Sequence, residues 1–207
     1  MTHLADTMTP DALRMAVADQ YGRVAKFPEA EHPFPVGRAF AEALGYPPET
    51  LDNLPRQAVN AFAGISNPLQ YANLQAGEDV LDLGCGAGMD TILAARLVAP
   101  LGTIHALDLS VDMLECARSN VKNAGLENVP FHQAPAEKIP LSDGSVDVIL
   151  VNGIFNLCPE KEPVMDEAFR VLKPGGRLLV SEIVLRDFDG EEWVGETCGL
   201  TLNDWFT

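Results

Sequence analysis

The rhythm of apolar and polar positions changes near residue 75. Before that point apolar residues recur at helical spacing and prolines interrupt them. Thr9-Pro10 followed by Leu13, Ala16, Val17 and Gln20-Tyr21 predicts an N-capped amphipathic helix with proline in its first turn. Pro28, Pro33 and Pro35 predict a loop. A second helix is predicted from Gly37 to Leu44, stopped by Gly45 and Pro47-Pro48, and a third from Pro48 to Leu54, followed by Pro55 and a run to Phe62. No strand is predicted in this part.

From Glu78 onward, apolar runs of four to eight residues alternate with helical periodicity, the βαβ signature of a parallel, doubly wound sheet. Strands are predicted at 79–83, 103–107, 128–132, 146–151 and 177–184, and helices at 89–99, 110–124 and 160–172. Ser110 suits the cap of the second of these helices. Pro159, Glu160 and Glu162 suit the start of the third, because acidic groups favour a helix N-terminus. Lys173-Pro174-Gly175-Gly176 is expected to turn the chain into the fifth strand. The expected fold class is therefore α/β: a Rossmann-like, doubly wound, mostly parallel sheet behind an N-terminal helical segment.

Charge and composition narrow the function. Fourteen Lys and Arg against 30 Asp and Glu give a net charge of −16, which repels polyphosphate and argues against a nucleic-acid partner. No apolar run approaches the roughly 20 residues of a membrane span, and Met1 to Pro10 lacks the pattern of a secretory signal, so a cytoplasmic protein with no membrane partner is expected. Cys85, Cys116, Cys158 and Cys198 show no C-x-x-C spacing and read as free thiols. Neither they nor His3, His32, His105 and His132 have zinc-ligand spacing, so no metal is expected. His132, at the end of the third predicted strand, reads as a structural histidine.

The chemistry concentrates at Val80-Leu81-Asp82-Leu83-Gly84-Cys85-Gly86-Ala87-Gly88, a strand entering a glycine-rich turn and then a helix. Glycines at 84, 86 and 88 allow a sharp bend and let a ligand lie against the backbone. A dinucleotide fingerprint wants a small residue where Met89 stands, which argues against a nicotinamide cofactor. Alone, the turn fits a structural role as well as a ligand site. Asp108 closes the next strand 20 positions after Gly88, where a carboxylate can accept both hydroxyls of a ribose. A plain helix-start carboxylate is the other reading, though Ser110 and Asp112 already supply capping chemistry.

Together with Ala136-Glu137-Lys138-Ile139-Pro140-Leu141, Ser145-Val146-Asp147-Val148-Ile149 and Phe169-Arg170-Val171-Leu172-Lys173-Pro174-Gly175-Gly176-Arg177, these segments resemble the successive motifs of class I S-adenosylmethionine (SAM) dependent methyltransferases. Within that superfamily the chain is most similar to the arsenite methyltransferases, through Tyr21-Gly22-Arg23-Val24-Ala25, Ala43-Leu44-Gly45-Tyr46 with Leu51, Asn67-Pro68 and Ile154-Phe155-Asn156-Leu157. The resemblance implies SAM as cofactor. Gly84, Cys85 and Gly86 would hold its methionine portion, Asp82 its ammonium, Asp108 its ribose and Leu109 its adenine face. Pro135, Ala136 and Glu137 would meet the adenine edge, and Asn152 would lie beside the donor with its carbonyl accepting from the ammonium. Residues 1–75 would form a helical lid or substrate segment and residues 76–207 the SAM-binding domain.

The pattern is broken where the family carries arsenic-binding thiols. No cysteine follows Val24 in the N-terminal segment, Ala63-Gly64-Ile65-Ser66 has none, and Gly153 stands after Asn152 in place of a ligand cysteine. Cys198 alone survives as a candidate As(III) ligand, Cys158 reading as a spectator, and soft As(III) needs several soft ligands. Pro135 replaces a common acidic adenine contact. The resemblance also implies two further strands and a helix, around 50 residues or more at ordinary lengths. The sequence stops at Thr207, so a shortened C-terminal end and an exposed fifth-strand edge, through which copies could associate, are expected. The expected function is methyl transfer to a small molecule other than arsenite. The alternatives are residual arsenite methylation through Cys198 with an external thiol, and a catalytically weak SAM-binding or interaction module.

Overall fold

The computed structural model describes residues 8–183. Among the described residues five helices precede the sheet: α1 (Pro10–Lys26), α2 (Arg38–Ala43), α3 (Pro48–Asp52), α4 (Arg56–Asn60) and α5 (Leu69–Ala72). Thr9 caps α1 by accepting from the Ala12 N–H at 3.2 Å, with Pro10 at the first helical position, as its sequence predicts. The predicted run from Pro55 to Phe62 is the short helix α4. The four-residue α5, after Pro68, has no counterpart in the sequence reading.

Strands and helices then alternate: β1 (Val80–Leu83), α6 (Met89–Val98), β2 (Ile104–Asp108), α7 (Val111–Asn123), β3 (Phe131–Gln133), β4 (Val146–Asn152), a single 3-10 turn (Phe155–Leu157), α8 (Lys161–Val171) and β5 (Leu172–Ser181). All pairings are parallel, in the order β3-β2-β1-β4-β5. Val148, Ile149, Leu150 and Val151 of β4 are buried on both faces, the mark of a parallel sheet covered on two sides. Each such side chain contributes roughly 1.5–3 kcal/mol on burial.

Two strands depart from expectation. β3 begins at Phe131 rather than 128, because Pro130 has no N–H to donate; only the Asn128 and Pro130 carbonyls bond to β2, accepting from Ile104 and Ala106. β5 starts at Leu172, five residues before the expected 177. Leu172 already pairs with Val146, and Arg177 pairs with Val148, so residues 173–176 loop out of the ladder while the strand continues.

The N-terminal helices have no core of their own. Ala41, Tyr46, Leu51, Ala58, Val59 and Phe62 join Val80, Met89, Ile92 and Ile104 in one apolar cluster on one face of the sheet. The other face packs Leu81, Leu107, Ile149 and Val151 against Val164, Ala168 and Val171 of α8. No described helix is long and apolar enough to cross a membrane. His132 does not stand alone, since its Nε2 lies 3.1 Å from Nδ1 of His105 on the neighbouring strand.

Candidate functional site

Helices alternate sides about a parallel sheet, so a crevice opens where the strand order reverses, beyond the C-terminal ends of the strands on either side. Here the reversal lies between β1 and β4. A cleft with about 1050 Å³ of empty space, part of it open to solvent, occupies this point. Its walls include Asp82, Gly84, Cys85, Gly86, Asp108 and Leu109 from the ends of β1 and β2. Ala136 and Glu137 follow β3 in the wall, and Asn152 ends β4. All nine residues singled out for the cofactor therefore line one space.

The glycine turn is built for close approach. Gly84, Gly86 and Gly88 all have positive φ (82°, 51° and 85°). A Cβ on Gly84 would lie 2.3 Å from Cγ2 of Ile154, and one on Gly88 would lie 3.2 Å from the Ala117 methyl on α7. A Cβ on Gly86, which lines the cleft, would meet nothing within 4 Å, so the turn is open there. Asp108 ties this turn to the end of β2. One carboxylate oxygen accepts from the Gly86 N–H at 2.9 Å and the other from the Ser110 N–H at 2.8 Å. Each oxygen keeps lone-pair capacity for a second donor. Ser110 caps α7 by accepting from Met113 N–H, so the helix-start role is filled without Asp108.

The floor of the cleft is acidic. Asp82 and Asp90 are buried, and Asp108 lies beside them. Burial, then the neighbouring Asp90 charge, pushes the Asp82 carboxyl up to about 7. Burial pushes Asp90 up to about 6, opposed by hydrogen bonds from Tyr46 and Asn152. Burial also raises Asp108, opposed by the backbone donors of Ser110 and Gly86. No lysine lines the space, and its arginine, Arg14 of α1, is committed to Glu137 at 2.9 Å and Glu160 at 3.2 Å. The Arg14–Glu137 pair holds α1 across the mouth and gives Glu137 a partner the sequence did not suggest.

Asn152 departs from the role implied for it. Its carbonyl oxygen accepts from the Ile65 and Ser66 N–H groups at 2.9 and 3.0 Å, and its amide donates to Ser66 O at 3.0 Å and Asp90 at 2.9 Å. All four hydrogen-bonding positions are used. Asn152 therefore borders the cleft as a clamp on residues 64–66, and its carbonyl is not an open acceptor for an ammonium. Gly64 is what lets that segment come so close, since a Cβ there would lie 2.4 Å from the Asn152 amide nitrogen. Tyr46 completes the network, donating to Asp90 and reaching Ser66 O at 3.1 Å, while Thr91 donates to Asp82. Sequence reading missed Tyr46, Asp90 and Thr91, although Tyr46 stood inside a segment that carried the family resemblance.

The described cysteines are free thiols. Cys85 and Cys158 are buried and Cys116 is half-buried. Burial, reinforced by Asp108, raises the Cys85 thiol well above its usual value, and burial pushes Cys158 up to about 12. Among the described residues no group of three or more His, Cys, Asp or Glu could hold a metal ion. Cys198 lies outside the described residues.

The arrangement fits SAM: an acidic floor for a cationic ligand, an open glycine turn, and a strand-end carboxylate with spare acceptor capacity. Comparisons with known proteins agree. Residues 74–201 match the family described as "Methyltransferase domain". An arsenite methyltransferase of Halobacterium salinarum is 40% identical over 144 residues, which is 70% of this chain and 37% of that protein. A demethylmenaquinone methyltransferase of Lactococcus lactis is 39% identical over 106 residues, 51% of this chain and 42% of that one. The solved arsenic(III) S-adenosylmethionine methyltransferase of Chlamydomonas reinhardtii superposes with a TM-score of 0.53 at 34% identity, covering 70% of this chain and 48% of that one. The chain thus spans less than half the length of these relatives. The chain belongs to the class I SAM-dependent methyltransferases.

Proposed function

We propose that the cleft binds SAM and that the chain transfers its methyl group to a small molecule other than arsenite. The observation that carries this reading is Asp108, a half-buried carboxylate lining the cleft beside the open Gly86 turn, with acceptor capacity to spare. Asp108 holds the ribose hydroxyls, Gly84, Cys85 and Gly86 lie along the methionine portion, and Leu109, Ala136 and Glu137 border the adenine. Asp82 receives the ammonium. Bound SAM supplies an activated methyl group on a positive sulfur, so what the protein must add is alignment of the acceptor and exclusion of water. Residues 8–75, held down by Arg14 and the Asn152 clamp, close the acceptor side.

Binding should follow pH. Asp82 is largely neutral below about 7 when the cleft is empty, and an ammonium selects its charged form. Affinity for S-adenosylhomocysteine should therefore rise by about tenfold in all between pH 6 and pH 8 and level off above, with release of a proton. Titrations in two buffers of different ionisation heat would detect that proton. A flat profile would remove Asp82 from the ammonium site.

Arsenite is the second reading, favoured by the arsenite-methylating relatives. Against it stand the raised thiols of Cys85 and Cys158 and the lack of any three-ligand group among the described residues. Incubating the chain with SAM, glutathione and either arsenite or a panel of organic acceptors, and following S-adenosylhomocysteine by mass spectrometry, separates the two. The proposal expects product with an organic acceptor. Product with arsenite alone, lost in Cys198→Ser, would reverse it.

A further inference from the structure

A second cavity adjoins the cleft and carries a different chemistry. About 850 Å³ of space, also open to solvent, lies against Phe34, Phe40, Ile65, Leu157 and Ile183. It shares Tyr21, Ala63, Gly153 and Leu157 with the cleft, so a molecule seated here reaches the same mouth at the ends of β4 and β5. Its walls are aromatic: Tyr21 and Phe34 stack with ring centroids 5.0 Å apart and planes 22° from parallel, and Phe40 stands beside Phe62 at 6.5 Å. Flat aromatic walls suit a flat apolar guest, which buries large area against them at offset-stacked or edge-on geometry.

The charged and soft groups in this wall are few. Among the described residues it holds no Lys, Arg or His to attract an anion and no Cys to bind a soft ion. Its one charged residue among those described is Glu182, just past β5. Backbone N–H groups fix both of its oxygens, Asn156 on one at 3.1 Å and Ile183 on the other at 3.2 Å, and Asn156 in turn donates to the Ile183 carbonyl at 2.7 Å. The carboxylate is thus held in place with acceptor capacity left on each oxygen. Burial, then Asp108 and then Glu182, raise the Tyr21 hydroxyl, so Glu182 stands near a ring that lines both the cavity and the cofactor cleft.

We infer that this cavity is the acceptor site and that it takes a neutral, planar aromatic molecule bearing a hydroxyl, which Glu182 deprotonates. The inference rests on the cofactor reading above. In the step, the acceptor hydroxyl gives its proton to the Glu182 carboxylate and its oxygen attacks the methyl carbon. The bond from that carbon to sulfur breaks with its electron pair going to sulfur. The products are a methyl ether and the neutral thioether. A hydroxyl acceptor needs such a base, whereas an arsenical would need thiols that the described part of this wall lacks.

The probe is 2-naphthol, titrated calorimetrically into the chain saturated with S-adenosylhomocysteine, whose own binding is measured first. The expected result is naphthol binding with Kd below about 100 μM and SAM-dependent formation of its methyl ether. Ile183→Asp, at an exposed position, should weaken naphthol about tenfold or more and leave S-adenosylhomocysteine binding unchanged. Glu182→Gln should keep naphthol affinity within about threefold while methylation falls about 100-fold or more. S-adenosylhomocysteine binding with no naphthol binding at about 1 mM, or with affinity indifferent to Ile183→Asp, overturns the acceptor assignment alone. Methylation unchanged in Glu182→Gln, or naphthol binding without methylation, overturns the role of Glu182. Absence of S-adenosylhomocysteine binding defeats the cofactor reading, and this inference with it.

Discussion

Asp108→Ala should weaken S-adenosylhomocysteine binding about 100-fold or more. Two ribose hydroxyls donating to a half-buried carboxylate are worth roughly 1.5–3 kcal/mol each, and about 2.7 kcal/mol already corresponds to 100-fold. The same substitution frees the Gly86 and Ser110 N–H groups, so the turn also loses its tie to β2. Asp108→Asn separates the two effects. An amide oxygen still accepts from one of those N–H groups, so the fold is held better than in the alanine variant while the charge is gone. Thermal unfolding of each variant without ligand, beside calorimetry with it, checks this. Affinity within about threefold of the parent in a folded Asp108→Ala variant would mean that the ribose is held elsewhere.

The second large effect is a contrast between two glycines of one turn. Gly84→Ala puts a methyl 2.3 Å from Ile154 Cγ2 and 3.1 Å from Ile154 Cβ, at a φ of +82° that L residues resist. The branch point and its backbone must shift, so a loss of about 3 kcal/mol and a fall in Tm of roughly 6–12 °C are expected. Gly86→Ala meets nothing within 4 Å, and its φ of +51° lies in the left-handed region that other residues can enter at about 1–2 kcal/mol. Its Tm should fall less than that of Gly84→Ala. Its methyl points into space assigned to the methionine portion, so binding should fall about tenfold or more. Equal destabilisation by both, with cofactor affinity intact in Gly86→Ala, would make the turn purely structural.

The physics of the individual elements explains how much the sequence revealed. β1, α6, β2, α7 and β4 lie within one or two residues of expectation, because Gly, Ser and Asp mark their ends and four-residue apolar runs fill their centres. β3 and β5 were misplaced where proline or a loop-out interrupts the ladder while pairing persists on either side, an effect of the neighbouring strand that local pattern does not carry. The cleft residues were legible because a glycine turn and a strand-end carboxylate are short-range signals. The network of Tyr46, Asp90 and Asn152 was not. It joins groups 44 and 62 positions apart through tertiary contact, and it redirects the Asn152 amide away from the role its strand-end position suggested. The aromatic acceptor cavity was hidden for the same reason, since Phe34, Ile65 and Ile183 come together only once the N-terminal segment lies over the ends of β4 and β5.

The central claim is that the cleft at the β1–β4 reversal binds the methyl donor, and calorimetric titration of the 207-residue chain with S-adenosylhomocysteine tests it most directly. The expected result is saturable binding at one site with a Kd in the micromolar range, roughly −8 kcal/mol, and a matching rise in Tm. A folded, monodisperse chain that shows neither heat nor a shift in Tm would contradict it.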